Sequence, residues 1–495
     1  MKLGYKVYIL IAILAYTAIF SIVEIMLYRS FRIFTWDLGI FNQAFWNTVH
    51  GRLLYYTADI AVYTETGCFL AAHFSPILLL VVPFYAICPS GEILLVISTF
   101  VIAIGAFPAY AIANFFLKNE KVAVMLGILY LLYPLMQGVT LSGFSPESFA
   151  GTLFLFILYY LVKADFKKLA LVFPLGLMVH EASAPIIAFI GIYGVLYHRS
   201  IRKKGFQASL IILVTSVPYF FFAQYMRIFF GWTGQPSLWH EWILIGASST
   251  ADLPLKIILN PIGALNSLAF DWAAKLLYVT FLLLPVLFLP LLGLRGLIPA
   301  IPYLFTGLFS SYRLYYSLEG HYAAFVTPFI FLGFLHGLTK LQRKPRLKTS
   351  ILKLTTLALL VTVTSLITLL PLIYSQYQVF NVDEKKNNTV RSFISRIPQN
   401  ASILTQSNIF PHVSSRPDAY TIAPPIWSPE YERIDKKILQ NLSKLDVRYV
   451  LLDFSSEPSY SSAADLIYTD FIVPNWNRYS LVEAKDGVVL FCLKT

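Results

Sequence analysis

Charged residues are scarce in this sequence. Only 13% of its 495 residues are Asp, Glu, Lys or Arg, whereas 57% are hydrophobic and the mean hydropathy is +0.67. Soluble proteins carry about 25% charged residues, so the composition excludes a soluble enzyme and a disordered chain. Cysteine is scarce too, because Cys68, Cys88 and Cys492 can neither form a disulfide framework nor provide metal-ligand spacing. The sequence therefore predicts a multi-pass membrane protein.

The net charge of +12 does not indicate nucleic-acid binding. Residues 1–374 contain 25 Lys and Arg against 13 Asp and Glu, whereas residues 375–495 contain 13 of each. The excess lies in short clusters between apolar segments, and such clusters mark the cytoplasmic side of a membrane protein. A nucleic-acid interface would need a basic patch with interleaved aromatic residues on a soluble module. We therefore expect a lipid bilayer and no nucleic acid as partner.

Eleven apolar segments are predicted to cross the plasma membrane. Phe74–Pro89 is excluded because it is short and contains three prolines, so it is predicted to be a juxtamembrane or re-entrant segment on the outer side. With that choice the N-terminus and all the basic clusters are cytoplasmic. The predicted spans are 7–27, 92–117, 122–140, 148–162, 169–180, 182–197, 206–230, 274–293, 296–310, 322–339 and 350–373. Long polar outer loops are expected at 28–72 and 231–272.

The fold class is predicted as an α-helical polytopic membrane domain, residues 1–374, followed by a small extracytoplasmic α/β domain, residues 375–495. Interfacial helices are expected in the first outer loop with its juxtamembrane segment, residues 28–90. The C-terminal part alternates strand and helix patterns. Its predicted elements are strands at Ala401–Leu404 and Val447–Asp453, a helix at Tyr431–Leu445, and a hairpin at Tyr479–Leu493 that turns at Lys485–Gly487.

Asp37 is the leading candidate for chemistry. It lies in Trp36–Asn47, which is predicted as an amphipathic helix on the outer interface. Next to an apolar wall, a carboxyl group can have the raised pKa of a general base. Alternatively, Asp37 is the N-cap of the interfacial helix. Its residue type and position alone leave both interpretations open.

Further ionisable residues lie at the ends of apolar segments on the predicted outer side. His73 could bind phosphate or orient a carboxylate, or be an ordinary hydrogen-bonded boundary residue. Glu147 could be functional, or complement a helix dipole. His180 and Glu181 interrupt an apolar stretch of nearly thirty residues, which favours function because burying both is costly.

The segment Ser310–Tyr322 combines Arg313, Glu319, His321 and four tyrosines. Such a set could clamp a phosphate and stack on a sugar ring, whereas an interfacial aromatic belt would also explain the tyrosines. The sequence contains no Gly-rich phosphate loop, no HExxH and no Gly-x-Ser-x-Gly. ATP-driven transport and zinc or serine hydrolysis therefore have no support.

These motifs resemble an uncharacterised family of prokaryotic multi-pass membrane proteins. The resemblance rests on Asp37–Asn47 with Gly51-Arg52, His73–Pro76, Tyr133-Pro134 with Gln137-Gly138, His321–Ala324 and Val447–Asp453. That family is similar to GT-C glycosyltransferases, which include protein mannosyltransferases and lipid A aminoarabinose transferases. The resemblance implies sugar transfer from a polyprenyl-phosphate carrier at the outer face, with Asp37 as catalytic base. The chain departs from the family pattern at Ser145–Glu147 and His180–Ala182, where His-Pro-Glu and Lys-Glu-Asp are expected.

The leading hypothesis is therefore a GT-C-type glycosyltransferase that acts on an acceptor hydroxyl of an unknown glycan, lipid or protein. Asp37 is the predicted base. No metal ligand is assigned, although Mg²⁺ or Mn²⁺ is an alternative at Asp37, Glu147 and Glu181. A non-catalytic scaffold with a partner-binding outer domain and a lipid or sugar transporter are the rival hypotheses. The predicted substrate-binding or phosphate-binding residues are Gln43, Arg52, His73, Glu147, His180, Glu181, Arg313, His321 and Tyr322.

Overall fold

The computed structural model is mostly helical. It describes residues 4–33, 35–58, 64–199, 203–234, 241–343, 350–377, 383–422 and 429–494. The helices of the membrane part are α1 (Tyr5–Arg29), α2 (Ile40–Val49), α3 (Phe69–Ala72), α4 (Val82–Ile87), α5 (Gly91–Ile104), α6 (Ala106–Leu117), α7 (Glu120–Leu132), α8 (Pro134–Leu141), α9 (Ser148–Lys163), α10 (Phe166–Leu177), α11 (Ser183–His198), α12 (Lys203–Phe229), α13 (Leu253–Leu259), α14 (Pro261–Ala269), α15 (Trp272–Leu283), α16 (Ile301–Leu308), α17 (Thr327–Gln342) and α18 (Ser350–Tyr377).

Within the described residues, four helices are long and apolar enough to cross a membrane. They are Tyr5–Arg29, Gly91–Leu117, Lys203–Phe229 and Ile351–Thr368. The number rises to six if α7 with α8 and α14 with α15 are each taken as one bent span. Several other predicted spans, such as α9 and α11, are apolar helices of 10–17 residues. The multi-pass helical architecture is thus confirmed, whereas the number of eleven spans stays a prediction.

The segment Phe74–Pro89 forms two short helical pieces, a 3₁₀ helix at Pro76–Leu80 and α4. Even as one continuous α-helix with a rise of 1.5 Å per residue, Pro76–Ile87 would be only about 18 Å long, well short of the ~30 Å hydrocarbon core. Tyr85 of α4 is fully buried and packs on Phe45 of α2, with ring centroids 5.5 Å apart. This piece therefore supports α2 and does not cross the membrane by itself.

The prediction of a polar outer loop at 231–272 is wrong for its second half. There α13 and α14 expose the apolar side chains of Ile258, Ile262 and Leu265, each more than 60% accessible. Pro261 begins α14, and α14 joins α15 at a 71° bend. An apolar helical surface of this kind fits a membrane-embedded or re-entrant segment.

A five-stranded sheet with strand order β2-β1-β3-β5-β4 forms the centre of the C-terminal residues. Strands β2, β1 and β3 are parallel, whereas β5 and β4 form the antiparallel hairpin expected from the sequence. The C-terminal elements, hereafter the C-terminal unit (residues 383–494), are α19 (Glu384–Ile394), β1 (Ile403–Thr405), α20 (Phe410–Val413), β2 (Ala419–Tyr420), α21 (Pro429–Leu442), β3 (Tyr449–Asp453), α22 (Pro458–Ile467), β4 (Tyr479–Lys485) and β5 (Val488–Leu493).

The C-terminal unit packs against the chain that follows α1. Phe31 lies in one hydrophobic cluster with Phe393 and Phe410, and all three are buried. The His412 ring lies between Tyr28 and Phe31, with ring centroids 4.2 and 4.1 Å away. The C-terminal unit therefore contacts the end of α1 and the residues directly before the segment that carries Asp37.

Candidate functional site

Asp37 lies in a π-helical turn, Thr35–Gly39, that runs into α2. The α2 cap position is Gly39, so Asp37 is not the N-cap of that helix. Its Oδ1 lies 3.4 Å from Nδ1 of His321, and both side chains are largely buried. π-Helical turns are rare and are often found at functional sites. The geometry therefore favours the chemical interpretation of Asp37 over the capping one.

His321 begins a 3₁₀ helix, His321–Phe325, that packs against α8. The close approach requires Gly138, because a Cβ at that position would overlap the carbonyl oxygen of Leu318. The Tyr322 ring lies beside the His321 ring in a tilted arrangement, with ring centroids 4.3 Å apart. Gly138 of the predicted motif thus allows the segment that carries His321 and Tyr322 to pack closely against α8.

Glu147, His180 and Glu181 form a buried network. Nε2 of His180 lies 3.5 Å from Oε1 of Glu147, and Nδ1 lies 3.5 Å from Oε2 of Glu181. His73 extends the network, since its Nδ1 lies 3.1 Å from Oε1 of Glu181. The backbone N–H of Phe74 donates to the other oxygen of Glu181 at 2.9 Å. Four residues predicted from three different segments of the sequence therefore lie in one contact network.

Arg227 completes this network and was missed by the sequence analysis. It lies in the last turn of α12, and its Nη1 is 3.6 Å from Oε1 of Glu181. The guanidinium also donates to the carbonyl oxygen of Ala71 at 3.2 Å and packs over Trp232. A basic residue at the end of an apolar helix is the signal that could have indicated it.

Burial raises the pKa of Asp37 to about 6. The nearby positive charge of His321 lowers this pKa, and the negative charge of Glu147 raises it further. Glu147 itself has a lowered pKa, because His321, His180 and His73 together outweigh the effect of its burial. The site thus contains one carboxyl group that titrates near neutral pH beside a carboxylate that remains ionised.

The pKa values of Glu181, His180 and His73 are shifted in different directions. Burial alone would raise the pKa of Glu181, but the charges of His180, Arg227 and His73 hold it well below the usual value. Burial lowers the pKa of His180, and the neighbouring carboxylates do not compensate. For His73, in contrast, the charge and hydrogen bond of Glu181 outweigh burial and raise the pKa. Glu181 therefore favours the positively charged form of His73 and pairs with the guanidinium of Arg227.

His73, His180 and Glu181 are the one group in the described part of the chain with three metal-type donor atoms within 4.8 Å. The fit is poor, because Nδ1 of His180 accepts a hydrogen bond from the N–H of Ala182 at 3.0 Å. The proton of a neutral ring is then on Nε2, which faces Glu147. Two imidazoles and one carboxylate are also not the oxygen ligands that Mg²⁺ prefers.

Three predicted ligands lie in other contacts. Gln43 is buried, accepts from the N–H of Thr57 at 3.0 Å and donates to the carbonyl oxygen of Ala419 at 3.2 Å. Arg52 stacks on Tyr55 and lies 3.9 Å from Asp418. Both residues thus join the first loop to the C-terminal unit, and their role in substrate binding stays a prediction.

Arg313 is also displaced from the cluster. Its side chain is 78% exposed, and its Nε lies 3.9 Å from Oδ2 of Asp271. An arginine that is this exposed and faces a carboxylate is less suited to hold a phosphate than the largely buried Arg227. The structure therefore favours Arg227 over Arg313 as the arginine of the site.

The comparisons with known proteins agree with a membrane protein. Two crystal structures of ArnT from Cupriavidus metallidurans are similar to the chain. The structure bound to undecaprenyl phosphate has 12% identity and a TM-score of 0.48, with 97% of each chain covered. The apo structure has 11% identity and a TM-score of 0.41, with 96% of this chain and 97% of that chain covered. No curated protein matches the sequence. Residues 27–490 match the family described as "Predicted membrane protein (DUF2079)", so the chain belongs to the DUF2079 family.

Proposed function

We propose that the protein is a membrane glycosyltransferase that moves a sugar from a polyprenyl-phosphate carrier to an acceptor hydroxyl at the outer face of the plasma membrane. The observation that carries this proposal is Asp37, whose carboxyl contacts His321 and has a pKa near neutrality. A general base is most effective when its pKa lies near the working pH. The motif resemblance to GT-C glycosyltransferases supplies the substrate class.

In the proposed reaction, Asp37 accepts the proton of the acceptor hydroxyl. At the same time the oxygen of that hydroxyl forms a bond to the anomeric carbon of the donor sugar. The bond from that carbon to the phosphate oxygen breaks, and polyprenyl phosphate leaves with the bonding electrons. His73 and Arg227 supply positive charge for the departing phosphate. Glu181 orients both cations, and Glu147 with His180 is available to sugar hydroxyls.

The direct test is release of free polyprenyl phosphate by the purified full-length protein. The protein would be incubated with a panel of polyprenyl-phosphate sugars and a mixture of candidate acceptors in detergent or liposomes. Release from one donor would support the proposal and identify the sugar. A folded protein that releases nothing from any donor would instead favour the non-catalytic scaffold.

The pH dependence of kcat/KM for the donor should show an acidic limb near pH 6. Asp37 acts as a base only when ionised, so the rate should fall tenfold per pH unit below its pKa. Because the positive charge of His321 lowers the pKa of Asp37, His321→Asn should move this limb to higher pH. A rate that is flat from pH 5 to 8 would contradict the assignment of Asp37 as base.

Chelation should leave the activity unchanged. Neither ring nitrogen of His180 is available to a metal ion, because Nδ1 accepts the N–H of Ala182 and Nε2 faces Glu147. Arg227 already supplies positive charge at Glu181. We therefore propose that charge on the phosphate is neutralised by side chains. Donor release would be measured after dialysis against EDTA, with and without added Mg²⁺ or Mn²⁺. Loss of activity that one of these ions restores would replace this proposal with a metal-dependent site.

A further inference from the structure

Asn42 joins the helix that follows Asp37 to the C-terminal unit. Its side chain is 1% exposed. Its Nδ2 donates to Oγ of Ser414 at 2.8 Å, to Oγ of Ser415 at 3.0 Å and to the carbonyl oxygen of Pro411 at 3.3 Å. The hydroxyl of Tyr85 donates to its Oδ1 at 2.8 Å. One amide group therefore connects α2, α4 and the segment Phe410–Ser415.

Gly39 shows how closely the C-terminal unit approaches the π-helical turn. A Cβ at this position would lie 2.8 Å from the Phe410 ring and 3.3 Å from Pro411. Gly39 is two residues from Asp37 and precedes α2 directly. The segment Phe410–Ser415 therefore contacts the turn on one side, whereas His321 contacts Asp37 within the membrane part.

We propose that Asn42 is a positioning residue for Asp37, and that the C-terminal unit acts in catalysis by fixing the π-helical turn. This inference rests on the proposed function. The hydrogen bonds of Asn42 hold α2 against Phe410–Ser415, and the continuous backbone from α2 to the turn fixes the carboxyl of Asp37 beside His321. A displacement of about 1 Å in a reacting group can cost about 100-fold in rate.

A matched control is available on the same helix. Asn47 is also a fully buried asparagine of α2, and its Nδ2 donates to the carbonyl oxygen of Tyr55 at 3.1 Å. This contact joins α2 to the first loop and does not involve the C-terminal unit. Replacing either asparagine with leucine removes a buried amide, so a general loss of stability should affect both variants.

The test compares Asn42→Leu, Asn47→Leu and Ser414→Ala in the full-length protein. We expect Asn42→Leu to lower kcat about 10- to 100-fold and to change the KM for the donor less than about twofold. The reason is that the substitution displaces the base Asp37 but not His73 and Arg227, which are proposed to contact the donor phosphate. Ser414→Ala should lower kcat in the same direction by a smaller factor. Asn47→Leu should lower the melting temperature about as much as Asn42→Leu does, but should keep kcat within about threefold of the wild-type value.

Hydrogen–deuterium exchange of residues 35–49 supplies a readout that does not depend on turnover. Exchange there should be faster in Asn42→Leu than in Asn47→Leu. A normal kcat in Asn42→Leu, or a lost kcat with unchanged exchange, would overturn the positioning role. If the wild type releases no donor, the proposed function fails by itself, and exchange alone then decides: faster exchange in Asn42→Leu supports the coupling and unchanged exchange overturns it.

Discussion

Asp37→Asn is expected to lower the release of polyprenyl phosphate by about 10²- to 10⁴-fold. The amide has nearly the same shape as the carboxyl but cannot accept the proton of the acceptor hydroxyl. Because the side chain is largely buried beside His321, a water molecule is a poor substitute for the base. The measurement is the initial rate of donor cleavage with saturating acceptor, and a variant that keeps more than half of the wild-type rate would contradict the proposed mechanism.

The same variant should not be unstable. The pKa of Asp37 is raised from 3.8 to about 6 on folding, so the folded chain holds the proton more tightly than the unfolded chain. The stability that this provides is present below pH 3.8 and is lost as the pH rises through 6. At pH 8 the ionised carboxylate therefore weakens the fold, and Asp37→Asn should melt at or above the wild-type temperature. Asp418→Asn, at an exposed carboxylate that faces Arg52, is the matched control and should keep the wild-type rate.

Glu181→Gln is expected to reduce both stability and activity strongly. Glu181 is the shared partner of His73, His180 and Arg227, and glutamine provides no charge to balance them. Removing one partner of a buried ion pair costs about 3–5 kcal/mol. The pKa of His73 should also fall, since the charge and hydrogen bond of Glu181 raise it. The positively charged form of His73 would then be less favoured than in the wild type.

Thermal unfolding and donor release of the purified Glu181→Gln variant test this expectation. Glu92→Gln is the control, because Glu92 pairs with Arg29 at 2.8 Å on the exposed surface, where such pairs contribute little. The control should melt close to the wild-type temperature and keep its activity. If both variants behave alike, Glu181 does not balance a buried charge cluster.

Hydropathy predicted the helical membrane part well and failed at α14. The polar residues of 251–272 suggested a loop, but several of them begin helices. Asn260 caps α14 by accepting the N–H of Gly263 at 2.9 Å, and Pro261 is in the first turn. In the C-terminal unit the predicted strands and hairpin are present because alternation and a Gly turn are local signals. The two-residue strand β2 is too short to leave such a signal.

Six of the clustered residues could be predicted from the sequence, because they are ionisable and lie at the ends of apolar segments. Burying a charge is costly, so such residues are often functional. The six are Asp37, His73, Glu147, His180, Glu181 and His321. The sequence could not show that Arg227 faces Glu181, since 46 residues separate them and only the packing of α12 brings them together. The sequence also could not show that Gln43 and Arg52 contact the C-terminal unit, because their partners Ala419 and Asp418 are distant in sequence.

The contact between Asn42 and Ser414 has a consequence for biosynthesis. About 370 residues separate the two, and a ribosome adding about 5–20 residues per second needs roughly 20–75 s to synthesise them. During that time the first helices can enter the membrane, whereas the turn that carries Asp37 has no support from Phe410–Ser415. Contacts between residues this far apart in sequence are also slow to form, because the intervening loop must first be closed. If Asp37 carries the proposed activity, the nascent chain is therefore expected to remain inactive until its C-terminal unit has folded against the turn, so that only finished molecules would turn over the donor.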